Sequence, residues 1–155
     1  MAVSIIDGRL EEVVLRRRRK LASIYDRLTF RLADGGTKTW AKAIVSNDVA
    51  DHLKPGQSGR FYLYTAIDHR GVHGVRTADG ADVYGFGKQN EIIALVITAV
   101  TTITNILSVT VLGHIQILAS ILMVLGLPMY FAYRHTRVQA ERQYQADAGF
   151  RPPAA

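Results

Sequence analysis

The chain has 155 residues, a formal net charge of +6, 48% hydrophobic residues and no cysteine. The missing cysteines exclude a disulfide framework, thiolate catalysis and metal–thiolate sites. The ordinary hydrophobic fraction hides an uneven distribution. The first 91 residues carry 15 Lys+Arg and 11 Asp+Glu, the residues after Tyr133 carry 4 and 2, and Ile92–Tyr133 carries none.

The N-terminus, MAVSIIDGRLEE, lacks a basic region followed by an apolar one, so no cleavable signal peptide is expected there. From Ala2 to Phe86 turn signals recur at Ile6-Asp7-Gly8, Asp34-Gly35-Gly36, Pro55-Gly56, Asp68-His69-Arg70-Gly71 and Asp79-Gly80. Asp-Gly pairs between alternating residues are hairpin signals. The intervening runs are predicted strands: Leu10–Arg18, Tyr25–Ala33, Thr37–Val45, Gly59–Ile67, Val72–Ala78 and Ala81–Gly87. In the second, Leu28, Phe30 and Leu32 alternate with Arg27, Thr29 and Arg31, as one buried face requires. Ser46–Gly56 reads instead as a short helix with Ser46 or Asn47 as N-cap, Val49, Ala50 and Leu53 on one face, and Pro55-Gly56 closing it. Short antiparallel strands with one helical turn, within residues 1–87, suggest a small β-barrel of the OB or SH3-like kind, with an open meander as the alternative. Such folds serve as binding platforms, so the architecture by itself selects no function.

Arg16, Arg17, Arg18, Arg19 and Lys20 form a basic surface that should end in a solvent-facing hairpin loop. Anionic lipid headgroups, a protein partner or nucleic acid could meet it, and nucleic acid is the least favoured. That reading would need exposed aromatics for base stacking, and about half of Tyr25, Phe30, Phe61, Tyr62 and Tyr64 must fill the core. Asp68, His69 and His73 lie close in sequence, with His52 elsewhere, but their spacing crosses a turn and does not make them converge as zinc ligands. No nucleophile elbow or phosphate-binding loop accompanies the available Ser, His and Asp residues. We therefore expect no enzyme activity, no cofactor and no metal. Tyr84–Gln89 reads as a bendable linker.

The uncharged stretch decides the rest. As one helix its 42 residues would be about 63 Å long, twice the ~30 Å hydrocarbon core of a bilayer. A turn at Gly113-His114 divides residues 88–133 into spans of about 92–112 and 115–133, a transmembrane hairpin. A chain this short lacks the mass to bury both as a soluble core. Lys88 precedes the pair, Arg134, Arg137 and Arg142 follow it, and the turn has no cation. The positive-inside rule puts both termini in the cytoplasm, with a bacterial inner membrane as the default location. Tyr130, Phe131 and Tyr133 fit an aromatic anchor at the cytoplasmic interface.

In the first span Thr98, Thr101, Thr102, Asn105 and Ser108 share a helical face, and in the second Gln116, Ala119, Ser120 and Gly126 make a face of small and polar residues. Such faces close a hairpin or meet another subunit. The span has no charge for an ion relay, so a homo-oligomeric channel or transporter ranks low. Residues 134–155 should begin helical and end disordered after Gly149 and Pro152-Pro153, as a polar tail that is solvated or lies along a partner. The expected function is that of a non-enzymatic membrane protein, an accessory or adaptor subunit whose partners are membrane lipid and either a membrane protein or a second copy. The alternatives are a tethered module that binds anionic lipid or nucleic acid through Arg16–Lys20, or the channel.

Overall fold

The computed structural model describes residues 2–152 and contains two compact units, Met1–Phe86 with Val138–Ala155 and Gly87–Arg137. In the first, the strands are β1 (Ala2–Arg18), β2 (Ala22–Leu32), β3 (Thr37–Ser46), β4 (Ser58–Thr65), β5 (Arg70–Thr77) and β6 (Asp82–Tyr84), with helix α1 (Asn47–Ala50) between β3 and β4. Five of them close into a barrel in the order β3-β2-β1-β4-β5, with β6 added beside β5. All pairings are antiparallel except the closing one, where Ala43 of β3 meets Arg70 of β5 in parallel. At that seam a Cβ on Gly71 would lie 1.7 Å from the Ile44 carbonyl oxygen, so only glycine lets the two strands meet.

Inside the barrel Leu10, Leu28, Phe30, Val45, Val49, Phe61, Leu63, Val72 and Val75 are fully or almost fully buried. Burial along β4 and β5 is nearly continuous rather than alternating, which means that both faces of this pair are covered. The second cover is the chain's own C-terminal segment. Ala140 and Tyr144 are buried, and the Phe150 ring lies 3.4 Å from the Arg60 guanidinium carbon. This corrects the expectation of a solvated tail or a strip on a partner: two apolar residues at i and i+4 suffice to bind a segment when charged groups of the barrel hold its end. Part of the expected terminal disorder, residues 153–155, lies outside the described residues.

A second correction concerns Asp7-Gly8, expected as a turn. β1 runs straight through it, because Gly8 crosses β2 where a Cβ would lie 2.1 Å from the Arg31 carbonyl oxygen, and Asp7 is an ion-pair partner of Arg60. The short helix is only Asn47–Ala50, and the Ser46 hydroxyl does not cap it.

In the second unit α2 (Gln89–Leu107) continues as a π-helical turn over Ser108–Leu112 and stops at Gly113, whose φ of 68° is the left-handed conformation that ends helices. Helix α3 (Ile117–Ala146) follows and contains Pro128. Both helices are long and apolar enough to cross a membrane, and only 17% of the most apolar window of each is buried.

Candidate functional site

The basic run lies where β1 turns into β2. Arg18 pairs with Asp51 at 2.7 Å and Arg16 with Asp26 at 3.9 Å, both on exposed side chains. The Arg18 contact holds the Asp51 carboxyl below the usual carboxylate range. Among the described residues, no carboxylate lies within ion-pair distance of Arg17, Arg19 or Lys20, and all three are exposed. The loop itself is held firmly. Asn47 Nδ2 donates to the carbonyls of Arg19 (2.9 Å) and Lys20 (3.0 Å), and Ser23 Oγ donates to Asn47 Oδ1 at 2.9 Å. Sequence reasoning assigned Asn47 to a helix cap and missed this brace. Further down the ribbon the cations are matched, with Glu12 beside Arg27 (3.6 Å) and Glu11 beside Arg31 (2.6 Å).

The aromatic residues that base stacking would need are inside. Tyr25, Phe30, Phe61, Tyr62 and Tyr64 are at most 7% exposed. Asp68 and His69 face each other at 2.6 Å, while His73 is fully buried under the C-terminal segment. Among the described residues, no three His, Asp or Glu side chains gather as metal ligands.

His73 is enclosed by the rings of Tyr62, Tyr64, Tyr84 and Phe86 at centroid distances of 5.9–6.1 Å. Burial lowers its pKa to about 4, while the Ala140 backbone acts in the opposite sense. The folded value lies below the unfolded value near 6.5, so the native state resists protonation. The stability this group contributes is complete above pH 6.5 and is lost as pH falls from there toward 4, an effect of about 3 kcal/mol. Denaturant midpoints should fall over that window, and His73→Leu should flatten the decline. An unchanged slope in the variant would assign the pH dependence to other groups.

Next to this cage lies a network that the sequence did not reveal. Arg76, 4% exposed, donates to Asp82 (3.0 Å), to the Tyr62 hydroxyl (3.2 Å) and to the carbonyls of Tyr144 (3.2 Å) and Asp147. Tyr144 in turn hydrogen-bonds to Asp82 through its hydroxyl. Burial and the Asp82 charge together raise the Tyr144 pKa. Arg60 forks onto Asp7 at 2.6 and 2.7 Å and reaches Asp147 at 3.1 Å. The arrangement is a structural clamp for the C-terminal segment.

In the helical unit, the structure brings α2 and α3 together through residues singled out above. Asn105 sits opposite Ser120. With the amide turned to satisfy its neighbours, its nitrogen donates to Gln116 O (3.3 Å) and its oxygen accepts from Ser120 Oγ (3.2 Å) and N (3.0 Å). Ala119, Gly126 and Ser108 are buried. The threonine hydroxyls do not cross between helices. Thr98, Thr101 and Thr102 donate to the carbonyls of Ala94, Ile97 and Thr98 in their own helix, at 2.7–2.8 Å. Gly113 and His114 form the turn and are exposed. A Cβ on Gly126 would come within 2.1 Å of Thr98 Oγ1, so Gly126→Leu should push the helices apart. The expected cost is about 1–3 kcal/mol, read as a lower melting temperature in detergent. An unchanged melt would show that the helices do not depend on this approach.

Glu91, 7% exposed, forks onto Arg137 at 2.6 and 3.3 Å and joins the first turn of α2 to the interior of α3. It lies one residue before the stretch treated as the first span, which is why it was overlooked. Comparison with protein families, with curated proteins and with solved structures finds no match for the chain.

Proposed function

We propose that the protein is a non-enzymatic integral membrane protein in which a helical hairpin anchors an OB-type barrel, and that it acts as an accessory or adaptor subunit. The observation that carries this reading is the distribution of polarity in the helical unit. The side chains of Thr98, Thr102, Asn105 and Ser120 are satisfied between the helices or by their own helix, while Ile92, Val96, Val100, Ile103, Ile106 and Val124 stand 52–63% exposed. A hairpin of this kind meets hydrocarbon with few unsatisfied polar groups, as a bilayer demands. The parallel β3–β5 closure, with a helix between β3 and β4, supports the OB-type assignment. The C-terminal segment covers the outer face of β4–β5, while the ribbon of β1–β2 stays exposed and offers a surface for a partner. The cation excess flanking the two helices favours cytoplasmic termini, in a bacterial inner membrane.

The reading is tested by the mass of the native complex in mild detergent, with the co-purifying proteins identified. A defined assembly with one recurrent set of membrane partners supports it. A monomer or homo-oligomer carrying only lipid or nucleic acid would sink it. In the same assay Asn105→Leu should lower recovery of the assembly by loosening the hairpin.

A further inference from the structure

We infer that the tip of the β1–β2 hairpin, Leu15–Leu21, is an anionic-lipid contact that seats the barrel on a bilayer surface; the inference rests on the membrane reading above. The tip offers charge and apolar surface together. Arg17, Arg19 and Lys20 are exposed with no carboxylate in ion-pair range among the described residues, and Leu15 and Leu21 beside them are 51% and 65% exposed. An interfacial contact places cations at the phosphates and leucines just below them, and the tip presents both.

Single-stranded nucleic acid would need stacking platforms, and every aromatic of β2 and β4 is buried. Trp40 is packed against the core cluster. The tip is also preorganised, since Asn47 holds the Arg19 and Lys20 carbonyls and little ordering entropy remains to be lost on contact.

The chain connection from this corner of the barrel to helix α2 is short. Gly85 packs against Ser46, where an added Cβ would meet Ser46 Oγ at 2.0 Å, and Ser46 pairs with Ala22, the residue that follows the tip. From Gly85 only Phe86, Gly87 and Lys88 precede helix α2, a path of at most about 14 Å. Each of the three cations should favour contact with an anionic surface about five-fold.

The chain has no cysteine, so single labels can be placed cleanly. The full chain carrying Leu21→Cys and an environment-sensitive dye is reconstituted in nanodiscs of neutral phosphatidylcholine, or with added phosphatidylglycerol. We expect a blue shift, and quenching by brominated lipid, only in the anionic discs. Both should be lost at high salt, where the Debye length falls to ~3 Å. Both should also be lost in the Arg17→Gln/Arg19→Gln/Lys20→Gln variant. Equal emission in both discs, a shift that survives the triple substitution, or a shift produced only by added oligonucleotide overturns the inference. A second label at Leu118→Cys reports the hairpin alone. Quenching there by brominated lipid in either disc keeps the membrane reading intact when the tip fails, and its absence removes that reading.

Discussion

Arg76→Met is expected to cost the barrel unit about 3–5 kcal/mol and to release its C-terminal segment. The residue is 4% exposed, and one guanidinium serves four acceptors, on Asp82, Tyr62, Tyr144 and Asp147. Two of these are carbonyls at the end of α3, which stops at Ala146. Terminal carbonyls lack partners within the helix and carry the negative end of its dipole, so a buried cation there satisfies both needs. The same group lies 4.4 Å from the Tyr144 ring centroid and 5.6 Å from that of Tyr62. Methionine fills part of the volume but removes the buried cation from all four acceptors. Among the described residues, Asp82 keeps only the Tyr144 hydroxyl and the Asp147 carbonyl only the Phe150 amide, and the loss of these charge-assisted bonds dominates. Arg76→Lys should fall between the two, since a point charge cannot reach all four acceptors. Arg60→Met should cost less, because its main partner, Asp7, has a half-exposed side chain. Denaturant titration of the full chain in detergent gives the stability. Tryptic cleavage after Arg142 reports release of the segment. A variant as stable and as resistant as the parent would show that the clamp is incidental.

The β-strands and the two apolar helices were legible in the sequence for a common reason: each signal is local. Alternation in Leu28, Phe30 and Leu32 marks a half-buried strand, and an uncharged stretch of 42 residues marks helices long and apolar enough to cross a membrane. Closure was not legible, since it turns on one bridge between Ala43 and Arg70, and an open meander has the same local pattern. The placement of the basic run at a hairpin end was readable because it lies between the predicted strands Leu10–Arg18 and Tyr25–Ala33, and five successive cations belong in solvent. The brace from Asn47 was not, because it joins residues 27 and 28 positions apart. Arg76 looked like an ordinary strand cation, and its partners Tyr144 and Asp147 lie 68 and 71 residues away in a segment whose composition is polar. Asp7-Gly8 misled for a related reason. Local turn chemistry and close strand crossing both call for glycine, and only the partner strand distinguishes them.

Glu91→Leu should destabilise the helical unit by about 3–5 kcal/mol, although it makes the start of α2 more apolar. Hydropathy alone predicts the opposite sign, since leucine suits a bilayer better than glutamate. The geometry decides. Glu91 and Arg137 meet in a two-pronged contact with side chains 9% and 18% exposed, so both charges are largely shielded from water. Removing the carboxylate leaves the guanidinium without that fork, and restoring its solvation requires the two helices to part at that point. Glu91→Gln keeps the shape and one acceptor, and should cost less. Exchange of the pair, Glu91→Arg with Arg137→Glu, should recover part of the loss, because the contact joins the two helices to each other rather than a helix to a fixed external charge. A double-mutant cycle in detergent measures this directly, with a coupling of about 0.5–3 kcal/mol expected for residues in contact. Additive single effects would mean that the two charges are solvated independently, and the hairpin would then be held by Asn105, Ser120 and the Thr98–Gly126 approach alone.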